Sequence, residues 1–415
     1  MNIALICHVY PPEHAPAGVM VSELAENLTA KGHGVTVLTG WPNHPEGVLY
    51  PGWRMCWQSV ERIGERLTLI RCRHSLHPRG GLFWRLWYYL TFAVTTLLIG
   101  MRAGHFDTVF SLSTPVFGCW TAWVLAKVKR ARFVYGIFDL HPESAANVGL
   151  VKRGPLYRFL RSLDSWLCKR SDSVVTLGEG LKTEIMARGI PAEKIAVVPF
   201  WLDGKKVKPG NRENPWRREQ KIGSELFVVL YAGTIGYVSG AEMLIETARL
   251  LSSRKDILFL CVGEGPIKNK LEVSTEAHRL KNIRFLPFQP AEFLEQVQST
   301  ADVGLVTLLP EASQTSLPSK VLGYMAAARP IIASVSLTSD TAKIIGKAKC
   351  GIVTESQDAS ALASAIVELS NNPTLRFEMG REGRFFFEQN FDRGKCVQAY
   401  EQLFVGGGTA SVEIL

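Results

Sequence analysis

Apolar positions along the chain gather into short β-rich runs separated by amphipathic stretches. NIALICHVY (2–10), GVTVLTG (34–40), DTVFSL (107–112), ARFVYGIFD (131–139) and SDSVVTLG (171–178) read as strands, with helical intervals such as SELAENLTAKGH (22–33) between them. A second series follows after a polar gap. Strands FVVLYAG (227–233), ILFLCVGEG (257–265), IRFLPF (283–288), VGLVTLLP (303–310) and PIIASV (330–335) alternate with helices GAEMLIETARLLSS, IKNKLEVSTEAHRL, PAEFLEQVQST and SKVLGYMAAA. Such alternation predicts right-handed βαβ crossovers on parallel sheets, hence two doubly wound, Rossmann-like α/β domains in series. The gap itself, 202–224, is rich in charge, Pro and Gly without an apolar period. It reads as a linker at 204–224 between a first domain, 1–203, and a second, 225–390. Ligands of doubly wound sheets lie outside the C-terminal strand edges, so two such domains are expected to face each other over one cleft.

Length and composition support this organisation and exclude others. At 415 residues and 47% hydrophobic, the chain is long enough for two cores and is neither disordered nor fibrous. Its eight cysteines never stand closer than 16 apart, so no CxxC zinc or redox pair exists and they read as scattered reduced thiols. No P-loop signature, HExxH or Asp-x-Asp is present, so no metal is expected. Charge is uneven. Residues 1–200 hold 22 Lys and Arg against 14 Asp and Glu, and the remainder 25 against 24. A basic half suits nucleic acid, an anionic bilayer or a phosphorylated substrate. Nucleic acid is disfavoured, because the basic residues are dispersed and no reader motif occurs.

The N-terminus lacks the charged flank and cleavage site of a secretory signal, and none is expected. The uncharged stretch LWYYLTFAVTTLLIGM, 86–101, would cover about 24 Å as a helix, short of a hydrocarbon core of ~30 Å. It reads as a buried crossover helix. Its N-terminal end combines Arg79 and Arg85 with Trp84 and Trp87, a mixture suited to a bilayer interface. The Gly-rich end at 405–415 reads as a flexible tail.

Glycine turns at strand ends carry the candidate chemistry. Gly233 and Gly236 in YAGTIG let backbone N–H groups approach an anion. VGEGPIK places Glu264, Gly265 and Pro266 in the next strand-to-helix turn. In SLPSKVLGY, Pro318 precedes a helix start at which Ser319 and Lys320 aim free N–H donors, a hydroxyl and an ammonium at one point, the physical recipe for a diphosphate site without a metal. In the first domain, YPPEHAPAG brings Gly18 to a loop after strand one. FDLHPES sets Asp139, His141 and Glu143 at a C-terminal strand edge, where they could act as a base, bind hydroxyls or simply cap a helix.

With these motifs in order, joined by KGHGVTVLTGWPNHPEG, IAVVPFWLD, NIRFLPF and FDRGKCVQAYEQLF, the sequence resembles retaining glycosyltransferases of family four with the GT-B fold. The likeness is strongest to the branch assembling bacterial O-antigen, capsule and colanic-acid-like polysaccharides. It covers nearly the whole chain. The resemblance implies that the second domain binds a nucleotide diphospho-sugar as substrate, a UDP-sugar ahead of a GDP-sugar, with no cofactor. It implies that Gly233 and Gly236 approach diphosphate or sugar, Ser319 and Lys320 bind phosphate, and Glu264 to Pro266 lie near the base. It further implies that Gly18 lies near donor phosphate or acceptor, Asp139 faces the reacting hydroxyl, and a helix at about 391–404 returns to the first domain.

The implied acceptor is a lipid-linked saccharide or polyprenyl-diphosphate sugar on the cytoplasmic face of an anionic plasma membrane, with the enzyme peripheral there. Two departures stand out. A Glu-x7-Glu pair whose second member holds ribose hydroxyls in relatives is replaced by Thr315 and Gly323, with Glu311 as a candidate substitute. The Arg and Lys that follow the glycine turn in relatives are absent from Tyr237 to Met243. The altered pair leaves open a catalytically silent nucleotide-sugar scaffold, and an epimerase of similar fold is a further alternative.

Overall fold

The computed structural model describes residues 1–406 apart from 14, 45, 77–81, 115, 144, 145, 147–151 and 314–317, and of Leu82, Arg85 and Val116 only the backbone. Two compact units emerge among the described residues, Met1–Pro199 with Val397–Gly406, and Phe200–Cys396. Each is a parallel sheet covered by helices.

The first sheet contains β1 (Asn2–Ile6), β2 (Gly34–Thr39), β3 (Gln58–Ile63), β4 (Leu67–Cys72), β5 (Thr108–Leu112), β6 (Arg132–Ile137), β7 (Ser173–Thr176) and β8 (Ile195–Val197). Their order is β3-β4-β2-β1-β5-β6-β7-β8. All neighbours pair in parallel except the β3–β4 hairpin, for example Ala4 with Thr36 on one side and Val109 on the other. β5 and β7 are buried along their whole length, which explains their continuous apolar runs: helices cover both faces of a parallel sheet. The hairpin was not anticipated, because β3 is an exposed edge strand whose polar residues carry little pattern.

The second sheet contains β9 (Phe227–Ala232), β10 (Ile257–Val262), β11 (Ile283–Leu286), β12 (Val303–Thr307), β13 (Ile331–Ser334) and β14 (Gly351–Thr354). The order is β11-β10-β9-β12-β13-β14, entirely parallel. Alternation along β9 feeds two cores. Val228 and Leu230 join the cluster containing Val321, Leu322 and Met325, while Val229 and Tyr231 join that containing Leu244, Phe259 and Leu362. Chain direction through the sheet reverses between β9 and β12, the position where doubly wound sheets open a crevice at their C-terminal edge.

Three intervals differ from expectation or refine it. Residues 202–224, read as a linker, lie within the second unit. Asn214 caps helix Pro215–Glu219 by accepting from Arg217 N, and buried Trp216 donates through Nε1 to Gln289 Oε1 at 3.0 Å. Arg217 is 0% exposed and donates to the carbonyls of Thr300, Gly223 and Leu226. Polar composition concealed this packing because the charges are satisfied by backbone carbonyls rather than by water. The crossover helix, Leu82–Arg102, is buried along one stripe only: Tyr88, Phe92, Thr96 and Ile99 face the core, while Trp84, Trp87, Leu90, Val94, Leu98 and Met101 are exposed. Helix Arg393–Val405 sets Tyr400 and Phe404 against Phe110, with ring centroids at 5.7 and 5.5 Å, and Thr108 Oγ1 donates to Phe404 O at 2.8 Å. Residues 407–415, expected as a tail, lie outside the described residues. Seven of the eight free cysteines are buried and Cys56 is exposed.

Candidate functional site

The turns after β9 and β10 are built against each other. Gly233 has φ +128°, a conformation that favours glycine, and its N–H donates to Val262 O at 2.9 Å, while Ile235 N donates to Glu264 O at 2.9 Å. A Cβ on Gly263 would stand 2.0 Å from Gly233 O, and one on Gly265 would stand 2.2 Å from Ile235 O. These two glycines therefore let one turn lie on the other. Glu264 is turned outward into an ion pair with Lys268 at 2.7 Å, and Lys270 pairs with Glu242. Glu264, Gly265 and Pro266 do not line the cavity beside the Gly233 turn.

That cavity, of about 460 Å³, opens at the C-terminal edge of β9 and β12 within the second unit. Its size is in the range of small-molecule sites. Gly233, Gly236, Ser319 and Lys320 contribute to its wall, as do Phe288, Leu294, Val297, Gln298 and Gly323. Helix Ser319–Ala326 begins directly after extended Pro318, which provides no capping side chain, so its first N–H groups are not capped by that residue. Tyr324 ties this helix to the strand, taking a hydrogen bond from Ala232 N at 2.9 Å and donating to Leu230 O at 2.7 Å.

Lys320 reaches across from the helix start to lie over the ring of Tyr231, with Nζ 3.5 Å from the centroid. Its Cε stands 3.4 Å from where a Cβ on Gly233 would be, so a larger residue at 233 would crowd the lysine. Among the described residues no carboxylate forms an ion pair with it. Burial lowers the Lys320 ammonium from its ordinary value to about 7, and the thiol of Cys261 opposes this only in part. A cation held on a π face at a helix N-terminus, without a protein counter-ion, is arranged to receive an anion. Sequence reasoning had brought Gly233, Gly236, Ser319 and Lys320 together, and they do meet here. Gln298 was missed. It lies on helix Leu294–Thr300, 4% exposed, with Nε2 3.0 Å from a Cβ position on Gly323. No local signal marks it, because its neighbour in space is distant in sequence. Glu311, the candidate substitute for a ribose ligand, is exposed on helix Pro310–Ser313 and does not line the cavity, and Thr315 lies outside the described residues.

In the first unit, Asp139 follows β6 at the C-terminal edge and is exposed, while the protein packed about it raises its carboxyl above the usual carboxylate range. Ser113 Oγ donates to the Asp139 carbonyl at 3.3 Å. His141 Nε2 and Thr114 Oγ1 are 2.6 Å apart, and desolvation lowers the imidazole, which favours its neutral form near pH 7. Glu143 is committed elsewhere. Arg188 donates to it at 2.7 Å and to buried Asp164 at 2.5 Å, and Arg161 adds a contact at 3.2 Å. A Cβ on Gly18 would lie 3.1 Å from Val9 C and O, so its absence lets helix Pro16–Ala30 approach the loop after β1. Trp84 and Trp87 are 52% and 45% exposed, and Phe83 beside them 68%. Arg79 and the side chain of Arg85 fall outside the described residues. Among the described residues no helix is long and apolar enough to cross a membrane, and no group of three or more His, Cys, Asp or Glu is placed to hold a metal ion.

Comparison with known proteins agrees with this architecture. Residues 227–372 match the family described as Glycosyl transferases group 1, and residues 17–201 match the Glycosyl transferase 4-like domain. The chain is 26% identical over 327 residues to the "Putative colanic acid biosynthesis glycosyl transferase WcaI" of Escherichia coli K12, covering 76% of this chain and 79% of that protein. Among solved structures, sucrose-phosphate synthase from Thermosynechococcus elongatus superposes with a TM-score of 0.74 at 19% identity, over 98% of this chain and 99% of that one. Anabaena Alr3699/HepE in complex with UDP superposes with a TM-score of 0.71 at 13% identity, over 98% and 100%. Both are likenesses of fold.

Proposed function

The chain belongs to the group 1 glycosyltransferases, with a GT-B fold, and on that premise we propose that it moves a sugar from a nucleotide diphospho-sugar to a hydroxyl of a lipid-linked saccharide or polyprenyl-diphosphate sugar during bacterial surface polysaccharide synthesis. The observation that carries the donor half is Lys320: an ammonium at a helix start, over Tyr231 and against Gly233, without a counter-ion among the described residues. When the glycosidic bond breaks, negative charge accumulates on the departing diphosphate. Lys320 and the N–H groups that open helix Ser319–Ala326 are the groups of this chain suited to stabilise it, and no step needs a metal. A UDP-sugar is the donor of choice, a reading supported by HepE, whose structures contain UDP and UDP-glucose.

Transfer with retention at the anomeric carbon follows from the family resemblance. Asp139, whose raised carboxyl suits proton acceptance near neutrality better than an ordinary aspartate, orients or deprotonates the acceptor hydroxyl. The acceptor class rests on the similarity to WcaI and on the exposed apolar stripe of helix Leu82–Arg102, which would lie in the interface of an anionic cytoplasmic leaflet with Trp84 and Trp87 as anchors. The test is acceptor-dependent nucleotide release. Purified enzyme with a UDP-sugar and lipid-linked acceptor should release UDP and form a glycoside of unchanged anomeric configuration by NMR. Donor binding with neither transfer nor hydrolysis would favour the silent scaffold, and conversion of the donor without any acceptor would favour an epimerase.

A further inference from the structure

Among the described residues, one side chain that lines the cavity has a fully buried polar atom without a hydrogen-bond partner. Gln298 is 4% exposed and lines the cavity, yet its Oε1 has no hydrogen-bond partner. A buried amide oxygen without a partner is costly to keep, and each such group calls for an explanation. Its position is informative. Gly323 follows Lys320 by three residues on the same helix, about one turn or ~5 Å further along, and both line the cavity. The Gln298 amide lies against Gly323, with Nε2 and Cδ at 3.0 and 3.4 Å from the Cβ position that glycine leaves empty. On Gln298's own helix, Leu294 one turn earlier and Val297 beside it add apolar wall. A polar group thus sits between a cationic end suited to phosphate and an apolar wall suited to a flat base.

In a nucleoside diphosphate the group between phosphate and base is ribose. We propose that Gln298 reads the ribose hydroxyls of the donor nucleotide through its side-chain amide, and that Gly323 is small so that this amide can occupy the position. The inference rests on the donor reading above and deepens it. An amide both donates and accepts, so it can engage a vicinal diol, and being uncharged it adds no repulsion to the neighbouring diphosphate. Gln298 is a binding residue, not a reacting one.

The experiment measures binding of UDP, 2′-deoxy-UDP, 3′-deoxy-UDP and inorganic pyrophosphate to the full chain by calorimetry, for wild type, Gln298→Met and Gln298→Glu, with thermal melts to verify folding. Wild type is expected to bind UDP roughly tenfold more tightly than at least one deoxy nucleotide. Gln298→Met should lose that preference while holding pyrophosphate as before, and Gln298→Glu, which keeps the acceptor oxygen on the same frame, should retain it. Equal binding of UDP and both deoxy forms by wild type, or an unchanged preference in a folded Gln298→Met, would overturn the role of Gln298 alone. Parallel loss of pyrophosphate binding in Gln298→Met would show a structural role and overturn it too. Failure of wild type to bind UDP would overturn the donor reading and this inference with it.

Discussion

Replacing Lys320 by methionine should raise stability and lower turnover together. In the ligand-free protein, burial lowers the ammonium from 10.5 to about 7. At about 1.36 kcal/mol per pH unit this corresponds to a cost of roughly 4–5 kcal/mol for holding the charged form. The open side of the cavity admits water and screens part of it, leaving an effective cost of about 2 kcal/mol. Methionine has nearly the same shape, packs on Tyr231 and carries no charge, so Lys320→Met should raise the melting temperature of the second unit by roughly 4–8 °C near pH 7. The pH dependence fixes the sign. Below pH 7 folded and unfolded chains both carry the proton and the cost is present in full. Between pH 7 and 10.5 the unfolded chain still binds the proton and the folded one does not, so wild-type stability rises with pH and the advantage of methionine shrinks. Turnover should move the other way, falling about 10²–10³-fold through loss of one positioned donor to the leaving group. The assay pairs thermal melts from pH 6 to 10 with UDP release from a UDP-sugar, whose diphosphate has no ionisation in this range. Wild-type turnover in a folded Lys320→Met, or a variant less stable than wild type at pH 7, would refute the reasoning.

Other predictions address the supporting parts. Gly263→Ala, whose Cβ would stand 2.0 Å from Gly233 O, should destabilise the second unit by about 1–3 kcal/mol and weaken UDP binding; an unchanged melt would show that the turns are not in contact in solution. Asp139→Asn should reduce turnover about 10²–10⁴-fold and remove an acid limb of the pH–rate profile lying above the ordinary carboxylate range, and an unaltered rate and profile would exclude it. Wild type should float with vesicles containing phosphatidylglycerol, and Trp84→Ser with Trp87→Ser should remain behind; wild type staying unbound would remove the membrane reading.

Much of the architecture was legible because parallel strands buried on both faces are continuous apolar runs, as β5, β9 and β12 are. β3 was not, since an exposed edge strand such as QSVERI carries polar residues that packing does not select. Residues 202–224 misled for a related reason: Arg217 is charged yet fully buried, and only the carbonyls around it reveal why. At the site, the start of helix Ser319–Ala326 was readable because Pro, Ser and Lys act locally on one helix terminus. Gly265 and Gly18 were readable as tight positions, but the backbones they lie against were not. Whether a glycine admits a ligand or a neighbouring backbone depends on residues remote in sequence, here Ile235 and Val9. Gln298 was invisible for the same reason, its significance arising only when Gly323 is beside it.

The most direct test of the central claim is a crystal structure of the chain with UDP. The account predicts the diphosphate in the cavity beside Gly233, within hydrogen-bond distance of Lys320 Nζ and of the N–H groups opening helix Ser319–Ala326. A nucleotide bound elsewhere, with Lys320 still over Tyr231 and touching no phosphate, would contradict it.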